Sequence, residues 1–230
     1  MFVAVSNSVR GACLATLAVA LAACGGVNVK PEGTLPQALI PKIDAKVGVL
    51  VTPEMRAYKH EETRGGVSWT AELGPGHTKY AEQLFAASFR EVVMFSALDD
   101  AKAAGDLAAV FEPRIEQYSF ATARDTGGDY YAVTISYRLN VYAPAGDQVD
   151  SLTVSGYGSA PAGGMSGEKP LAAASFAAMR DAAAKFLVQF PEVAVAKVLR
   201  EGRKLTAAAT AQSLAASTSA ADIIEAVPIN

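Results

Sequence analysis

The sequence predicts an α+β domain in which one antiparallel sheet of about four strands has two helices packed on one face. Residues 130–142 alternate apolar and polar side chains, which is typical of a strand that is buried on one face only. Residues 169–190 carry large apolar side chains at three- and four-residue spacing, as an amphipathic helix does. The order strand, helix, three strands, helix favours the α+β class.

The first predicted strand and helix lie between residues 46 and 95. Valines alternate over 47–51 before Pro53, which indicates a buried strand. Residues 56–76 are polar and contain glycine, so we expect an excursion or a loose hairpin there. Residues 77–95 place apolar side chains at helical spacing and are predicted to form the first helix.

The three strands in the middle of the chain are predicted at 107–123, 130–142 and 148–158. In the first of them, Ile115 has one parity of the apolar alternation and Tyr118 has the other, which indicates a bulge or bend between them. Pro113 in the same strand indicates an edge or irregular position, because proline cannot donate a ladder hydrogen bond.

The second helix is predicted at 169–190, with Pro170 in its first turn. The stripe expected to lie on the sheet consists of Phe176, Met179, Ala183, Phe186 and Phe190. A short helix is predicted after Pro191. The final segment, 201–230, is rich in alanine and serine and is predicted to be a flexible tail. The folded domain is therefore expected to span residues 46–200.

The first 23 residues have the composition of a signal peptide. Arg10 is followed by a short apolar run that is too short to span a bilayer. The run ends in Leu21-Ala22-Ala23-Cys24, which resembles the lipobox of bacterial lipoproteins. That resemblance implies removal of residues 1–23, acylation of Cys24 and a stable membrane anchor, because several acyl chains together hold a protein on a bilayer.

The residues after Cys24 suggest where the anchored protein resides. In well-studied bacterial lipoproteins an aspartate directly after the cysteine favours the inner membrane, whereas Gly25 and Gly26 stand here. The resemblance therefore implies the periplasmic face of the outer membrane. Residues 24–45 are rich in glycine and proline and are interpreted as a lipidated tether that lifts the domain off the bilayer.

The body of the chain, roughly residues 45–192, resembles a group of small envelope lipoprotein domains. These are the YajG-like lipoproteins, the auxiliary lipoproteins of ABC-type transport systems, and the core of the curli-secretion lipoprotein family. The resemblance rests on the lipobox, on the opening strand "KVGVLVTP" and on the order of the elements.

The sequence contains no motif that predicts catalysis, a cofactor or a metal site. His60 and His77 lie in loop-like contexts and are interpreted as surface side chains, and Cys13 would be lost with the signal peptide. The formal net charge of −3 argues against a nucleic-acid partner. We therefore expect a non-enzymatic protein without a cofactor.

Two sets of residues are candidates for contact with a partner. Glu112, Arg114 and Glu116 share a strand face and form either a solvent-facing charge ladder with cross-strand partners or a polar patch for a partner. Trp69 lies in the polar excursion and is either an exposed contact residue or folded back onto the sheet.

Two functions from different classes remain open at this point. The first is a lipid-anchored scaffold or docking component of an envelope complex, with an unidentified protein partner. The alternative is a transport-associated lipoprotein that binds a lipid or other apolar ligand between the helices and the sheet. A large cavity between the 176/186 stripe and the 133/135 strand face would favour the alternative, and a filled core would count against it.

Overall fold

The computed structural model describes residues 26–163 and 167–209 of the chain. The strands are β1 (Val27–Val29), β2 (Ile43–Leu50), β3 (Lys59–Arg64), β4 (Val67–Glu72), β5 (Phe89–Phe95), β6 (Ala109–Ala121), β7 (Tyr130–Tyr142) and β8 (Gln148–Pro161). The α-helices are α1 (Pro53–Arg56), α2 (Gly74–Ser88), α3 (Leu98–Ala103), α4 (Glu168–Gln189) and α5 (Ala194–Arg200), and a 3-10 turn (Phe190–Glu192) lies between the last two.

The strands form a five-stranded sheet in the order β5-β2-β6-β7-β8 and a three-stranded sheet in the order β1-β4-β3. The α+β class is therefore confirmed, but the predicted four-stranded antiparallel sheet is not matched in detail. In the large sheet β2 runs parallel to both β5 and β6, and only the β6–β7 and β7–β8 pairs are antiparallel. The small sheet is also mixed, since β1 runs parallel to β4.

The predicted helix over 77–95 is wrong in its second half. The helix α2 ends at Ser88, and the chain continues as β5, which pairs in parallel with β2. Phe89 takes an extended conformation and is fully buried. The β-branched residues Val92 and Val93 suit a strand, and pairing with β2 overrides an apolar spacing that fits both structures.

The predicted bulge in β6 is confirmed. The β6–β7 register shifts between Ile115 and Gln117, so Glu116 is the extra residue. Both Ile115 and Tyr118 are consequently buried. Pro113 lies beyond the part of β6 that pairs with β2, whose partners end at Phe111.

The segment 56–76, expected to be an excursion or a loose hairpin, contains the regular hairpin β3–β4. Arg64 faces Val67 across a two-residue turn. Gly65 and Gly66 both have positive φ, as a tight hairpin turn requires.

The predicted tether also differs from the structure. Residues 27–29 form a strand whose Val29 is fully buried, and β2 already begins at Ile43. At the other end of the domain, Leu205 is buried and donates its backbone N–H to the carbonyl oxygen of Ala108. The packed part of the chain is thus longer at both ends than the expected 46–200, and the rest of the predicted tail, 210–230, lies outside the described residues.

The core lies between one face of the large sheet and the helices α2 and α4. Predicted stripe residues Met179, Ala183, Phe186 and Phe190 are buried there, and Phe176 is half-buried. A smaller apolar cluster of Leu50, Ala101, Leu107 and Val110 lies where α3 packs against β2 and β5. None of the helices in the described residues is long and apolar enough to cross a membrane.

Candidate functional site

The predicted lipidation site, Cys24, precedes the first described residue, Gly26. Cys24 and Gly25 are outside the described residues, and Gly26 is exposed beside the backbone of Ser68. Because β1 pairs in parallel with β4, Val27 lies opposite Trp69. The chain therefore enters the domain at the end of β4 that carries the β3–β4 turn.

Several other segments meet at this end of the domain. The Arg124 side chain, in the β6–β7 loop, lies close to Gly65. The ring centroids of Trp69 and Tyr131 are 6.1 Å apart, and both side chains pack against Gly167 before α4. We call this region the Gly26 end: it comprises Gly26, the turn 64–67, the loop 122–131 and Gly167.

Trp69 is folded back onto the sheet, so the exposed-contact interpretation does not describe it. Its side chain is only 7% exposed and lies between Phe120, at a ring-centroid distance of 5.6 Å, and Tyr131. The indole Nε1 has no hydrogen-bond partner among the residues that the structure describes. Trp69 is thus a core residue of the Gly26 end.

Glu112, Arg114 and Glu116 form cross-strand contacts with β7. The buried Glu112 carboxylate accepts hydrogen bonds from Asn140 at 2.9 Å and Tyr142 at 2.8 Å. It also pairs with Arg114 at 3.1 Å. The bulge residue Glu116 pairs with Arg138, again on β7. The cross-strand contacts fit the charge-ladder interpretation, but Glu112 is buried and does not face solvent. A partner contact through the exposed parts of Arg114 and Glu116 stays a prediction.

Burial and the Glu112 carboxylate together raise the pKa of Tyr142. Desolvation and the neighbouring negative charge raise the pKa of Tyr142 to about 12. Tyr142 therefore remains a neutral hydrogen-bond donor to Glu112 at any physiological pH. The hydrogen bond between Tyr142 on β7 and Glu112 on β6 therefore supports the register of these two strands.

His77 is not a surface side chain, contrary to the sequence prediction. It lies on the buried face of α2 and is fully buried. Its ring stacks on Tyr137 at 5.7 Å, and Tyr80 stacks on the same Tyr137 ring at 4.8 Å. Within residues 26–163 and 167–209, neither ring nitrogen of His77 nor the Tyr137 hydroxyl has a hydrogen-bond partner.

Burial sets the charge state of this stack. It lowers the pKa of His77 to about 4, and it raises the pKa of Tyr137 well above its usual value. His77 is therefore neutral at physiological pH. His60 is half-buried in β3, where it contacts Glu62 at 3.3 Å and the Tyr118 ring at 5.1 Å.

Residues 30–42, which we call the strap, cross the outer surface of α2 and α4. The Leu35 N–H donates to Gln83 at 2.8 Å, and Lys79 donates to Thr34 at 3.2 Å. Gly33 lies directly beneath the Phe176 ring. The predicted tether is therefore attached to the two helices rather than free.

A cleft of about 340 Å³ opens between the strap and the helices. Its walls combine the apolar side chains Leu35, Phe176 and Met179 with the ammonium groups of Lys30 and Lys79. Glu72 also lines it, and hydrogen bonds from Asn28 and Lys59, with Lys30 nearby, lower the pKa of Glu72 to about 2. The cleft thus contains a permanently ionised carboxylate.

The part of the chain that the structure describes contains no cluster of three or more side chains suited to hold a metal ion. No family model matches this sequence, and no curated protein matches it.

Three solved structures are similar to this one at low scores. A candidate neuraminyllactose-binding hemagglutinin homologue from Helicobacter pylori is 10% identical, with a TM-score of 0.41, over 71% of this chain and 96% of its own. A candidate lipoprotein from Caulobacter crescentus is 15% identical, with a TM-score of 0.32, over 53% of this chain and 83% of its own. A PelC dodecamer from Paraburkholderia phytofirmans is 18% identical, with a TM-score of 0.31, over 65% of this chain and 98% of its own. At such TM-scores the function must be argued from this chain's own residues.

Proposed function

We propose that this protein is a lipid-anchored envelope lipoprotein that acts as a non-enzymatic scaffold or docking component on the periplasmic face of the outer membrane. The observation that carries the proposal is Cys24 itself, which follows an apolar run in the sequence Leu21-Ala22-Ala23. The folded domain begins immediately after it, at Val27. Gly25 and Gly26 in place of an aspartate support the outer membrane over the inner membrane.

The side chains of the domain support a binding role rather than a catalytic one. His77 is neutral and enclosed, Glu112 is saturated by hydrogen bonds, and Glu72 is held ionised. Neither His77 nor Glu72 combines exposure with a pKa near neutrality, as a general acid or base requires. In contrast, Leu39 on the strap is almost fully exposed and Val188 on α4 is 76% exposed, and both are available to an apolar partner.

The alternative function, binding of an apolar ligand between the helices and the sheet, is disfavoured by the packing. Val133, Ile135 and Phe186 are all buried within the continuous core. The expected ligand site is therefore filled by side chains. The cleft of about 340 Å³ under the strap includes four charged side chains, Lys30, Glu32, Glu72 and Lys79.

The anchor is tested by substituting each cysteine in turn in the producing bacterium. Cys24→Ser is expected to abolish acylation, measured by mass spectrometry of the purified protein, and to release the protein from the membrane fraction. Cys13→Ser is the matched control, because Cys13 belongs to the removed peptide, and it should leave acylation unchanged. Acylation that persists in Cys24→Ser would overturn the proposal.

The docking role is tested with photo-crosslinking residues placed at Leu39 and Val188 in the acylated protein. Each is expected to give a discrete crosslinked product in intact cells. A crosslinker at Ala145, in the exposed β7–β8 turn, serves as the comparison site. Equal and diffuse crosslinking at all three positions would contradict a specific partner on the strap side.

A further inference from the structure

The connection between the anchor and the fold is very short. Only Gly25 and Gly26 separate Cys24 from Val27, the first residue of β1. An extended chain advances at most about 3.6 Å per residue, so the Cα atoms of Cys24 and Val27 can be separated by at most about 11 Å. An acylated cysteine lies in the headgroup layer, which is about 5–8 Å deep on each side of a bilayer. Strand β1 must then begin at the membrane surface.

The residues that follow Gly26 are held in the fold and cannot detach to lengthen this connection. Val29 is fully buried, and β1 is hydrogen-bonded to β4 over its whole length. After β1, the strap is attached to α2 through the Leu35 backbone and Thr34. Releasing residues 27–42 as a longer tether would require breaking a sheet and exposing a core valine, which costs free energy.

The residues around the point of entry have the character of a membrane-contacting surface. Val67 and Tyr130 are 39% and 41% exposed, although both are large and apolar for most of their surface. Tyrosine, with a ring and a hydroxyl, is enriched at the headgroup level of membrane proteins. Arg124 forms no ion pair with any described residue, so its guanidinium is free to meet phosphate oxygens.

We propose that the Gly26 end is a lipid-contacting surface, on which Val67, Arg124 and Tyr130 rest against the phospholipid headgroups. This inference rests on the proposed acylation of Cys24 and adds to it a fixed orientation of the domain. The β7–β8 turn then lies at the far end, because β7 has 13 residues and spans about 40 Å from Tyr130. Val188 lies 20 residues along α4 from its first residue, about 30 Å away.

The short connection, rather than charge, holds the domain in this orientation. Arg64, the other arginine at the Gly26 end, is already paired with Glu62 at 2.7 Å and with Asp125 at 3.3 Å. Ion pairing of this kind leaves little net positive charge to attract anionic lipid. The orientation should therefore be the same in low and high salt.

The experiment uses the full acylated lipoprotein, since its Cys24 is a thioether and leaves engineered cysteines as the only reactive thiols. Four single variants, Val67→Cys, Tyr130→Cys, Ala145→Cys and Val188→Cys, each receive an environment-sensitive fluorophore. All four positions are exposed or partly exposed, so the label does not enter the core. The labelled proteins are reconstituted into vesicles of phosphatidylethanolamine and phosphatidylglycerol, and acylation is verified by mass.

We expect labels at 67 and 130 to show a blue-shifted emission and quenching by headgroup spin-labelled lipid, at low and high salt alike. Labels at 145 and 188 should report water. If all four labels report water in a protein that carries its acyl chains, the lipid-contacting surface is overturned while the anchor stands. If the mass shows no acyl chains, the anchor and this inference fall together.

Discussion

Two regions along the same helix, α4, attach it to the large sheet in opposite ways. The first, which we call the small-residue seam, consists of Gly156 and Gly158 on β8 and of Ala174, Ala178 and Ala182 on α4. The second, the phenylalanine cluster, consists of Phe85, Phe89, Phe111, Phe186 and Phe190. In the seam the helix backbone touches the strand, whereas in the cluster large rings fill the space between them.

The seam shows how closely two backbones approach when both lack side-chain bulk. A Cβ added at Gly158 would lie 2.1 Å from the Ala174 carbonyl oxygen, and one added at Gly156 would lie 2.0 Å from that of Ala178. The close approach also brings α4 side chains to the outer edge of β8. Asp181 accepts from the Tyr157 N–H at 2.9 Å, and Lys185 donates to the Ser155 carbonyl at 3.0 Å. An edge strand that α4 covers in this way is protected from pairing with another chain.

The cluster shows the opposite solution at the C-terminal end of α4. The distances between neighbouring ring centroids range from 4.7 Å, for Phe186 and Phe190, to 6.2 Å, for Phe85 and Phe89. These rings join α2, β5, β6 and α4. The difference teaches that the seam cannot accept an added side chain, because the two backbones are in contact. The cluster, in contrast, cannot lose a ring without leaving a cavity.

The largest expected effect is in the seam. Gly158→Val places its side chain inside the α4 backbone, so we expect the domain to lose at least about 3 kcal/mol of stability or not to fold. Ser159→Val on the opposite, exposed face of the same strand is the control and should change stability by less than about 0.5 kcal/mol. Urea denaturation of the mature chain carrying Cys24→Ser measures both, and equal effects would disprove the backbone contact.

The next effect is expected in the phenylalanine cluster, where the substituted chain should still fold. Phe111→Ala leaves a cavity beside the rings of Phe85, Phe89 and Phe190 and should cost about 3–5 kcal/mol. Phe111→Leu keeps most of the volume and should cost less than about 1.5 kcal/mol. The same urea titrations distinguish the two variants, and an Ala cost as small as the Leu cost would show that the cluster collapses around the gap.

The stack of His77 and Tyr80 on α2 with Tyr137 on β7 should make stability depend on pH. The pKa of His77 is lowered from 6.5 to about 4, so the unfolded chain takes up a proton below pH 6.5 while the folded chain does not. Stability should therefore fall by about 2–3 kcal/mol as the pH drops from 6.5 to 4.5.

The variant His77→Leu should remove this loss, since it has no group to protonate. The window stops at pH 4.5 because Glu72, whose pKa is lowered to about 2, contributes its own loss of stability below that pH. Thermal or urea denaturation across the window provides the test. A His77→Leu variant that loses as much stability as the wild type would show that other groups titrate there.

The smallest expected loss of stability comes from removing a single buried hydrogen bond beside the seam. The Tyr118 hydroxyl and the Ser175 hydroxyl of α4 are 2.8 Å apart. Tyr118→Phe should cost about 1 kcal/mol, and most of that cost should disappear in a Ser175→Ala background. Tyr157→Phe on the exposed face is the control and should be neutral, and a full cost for Tyr118→Phe in the Ser175→Ala background would argue against the pair.

Local sequence patterns predicted those elements that bury one face, because burial of one face requires a regular spacing of apolar residues. The one-sided alternation of β7 and the stripe of α4 each follow from burial of one face, which the sequence records residue by residue. The bulge at Glu116 was predictable because the apolar parity changes around it. Within the candidate site, the Cys24 motif is read from contiguous residues, and acylation of Cys24 stays a prediction.

Tertiary structure alone decided the features that depend on distant segments. Whether 89–95 is helix or strand depended on the presence of β2 beside it, and whether 27–45 is a tether or part of the fold depended on β4, α2 and α4. Burial of Trp69 and His77 likewise depended on Phe120, Tyr131 and Tyr137, which are far away in the sequence. The sequence by itself determined the α+β class and the position of the candidate anchor. Only the fold decided that the domain begins three residues after that anchor, because pairing with distant strands is not encoded in local periodicity.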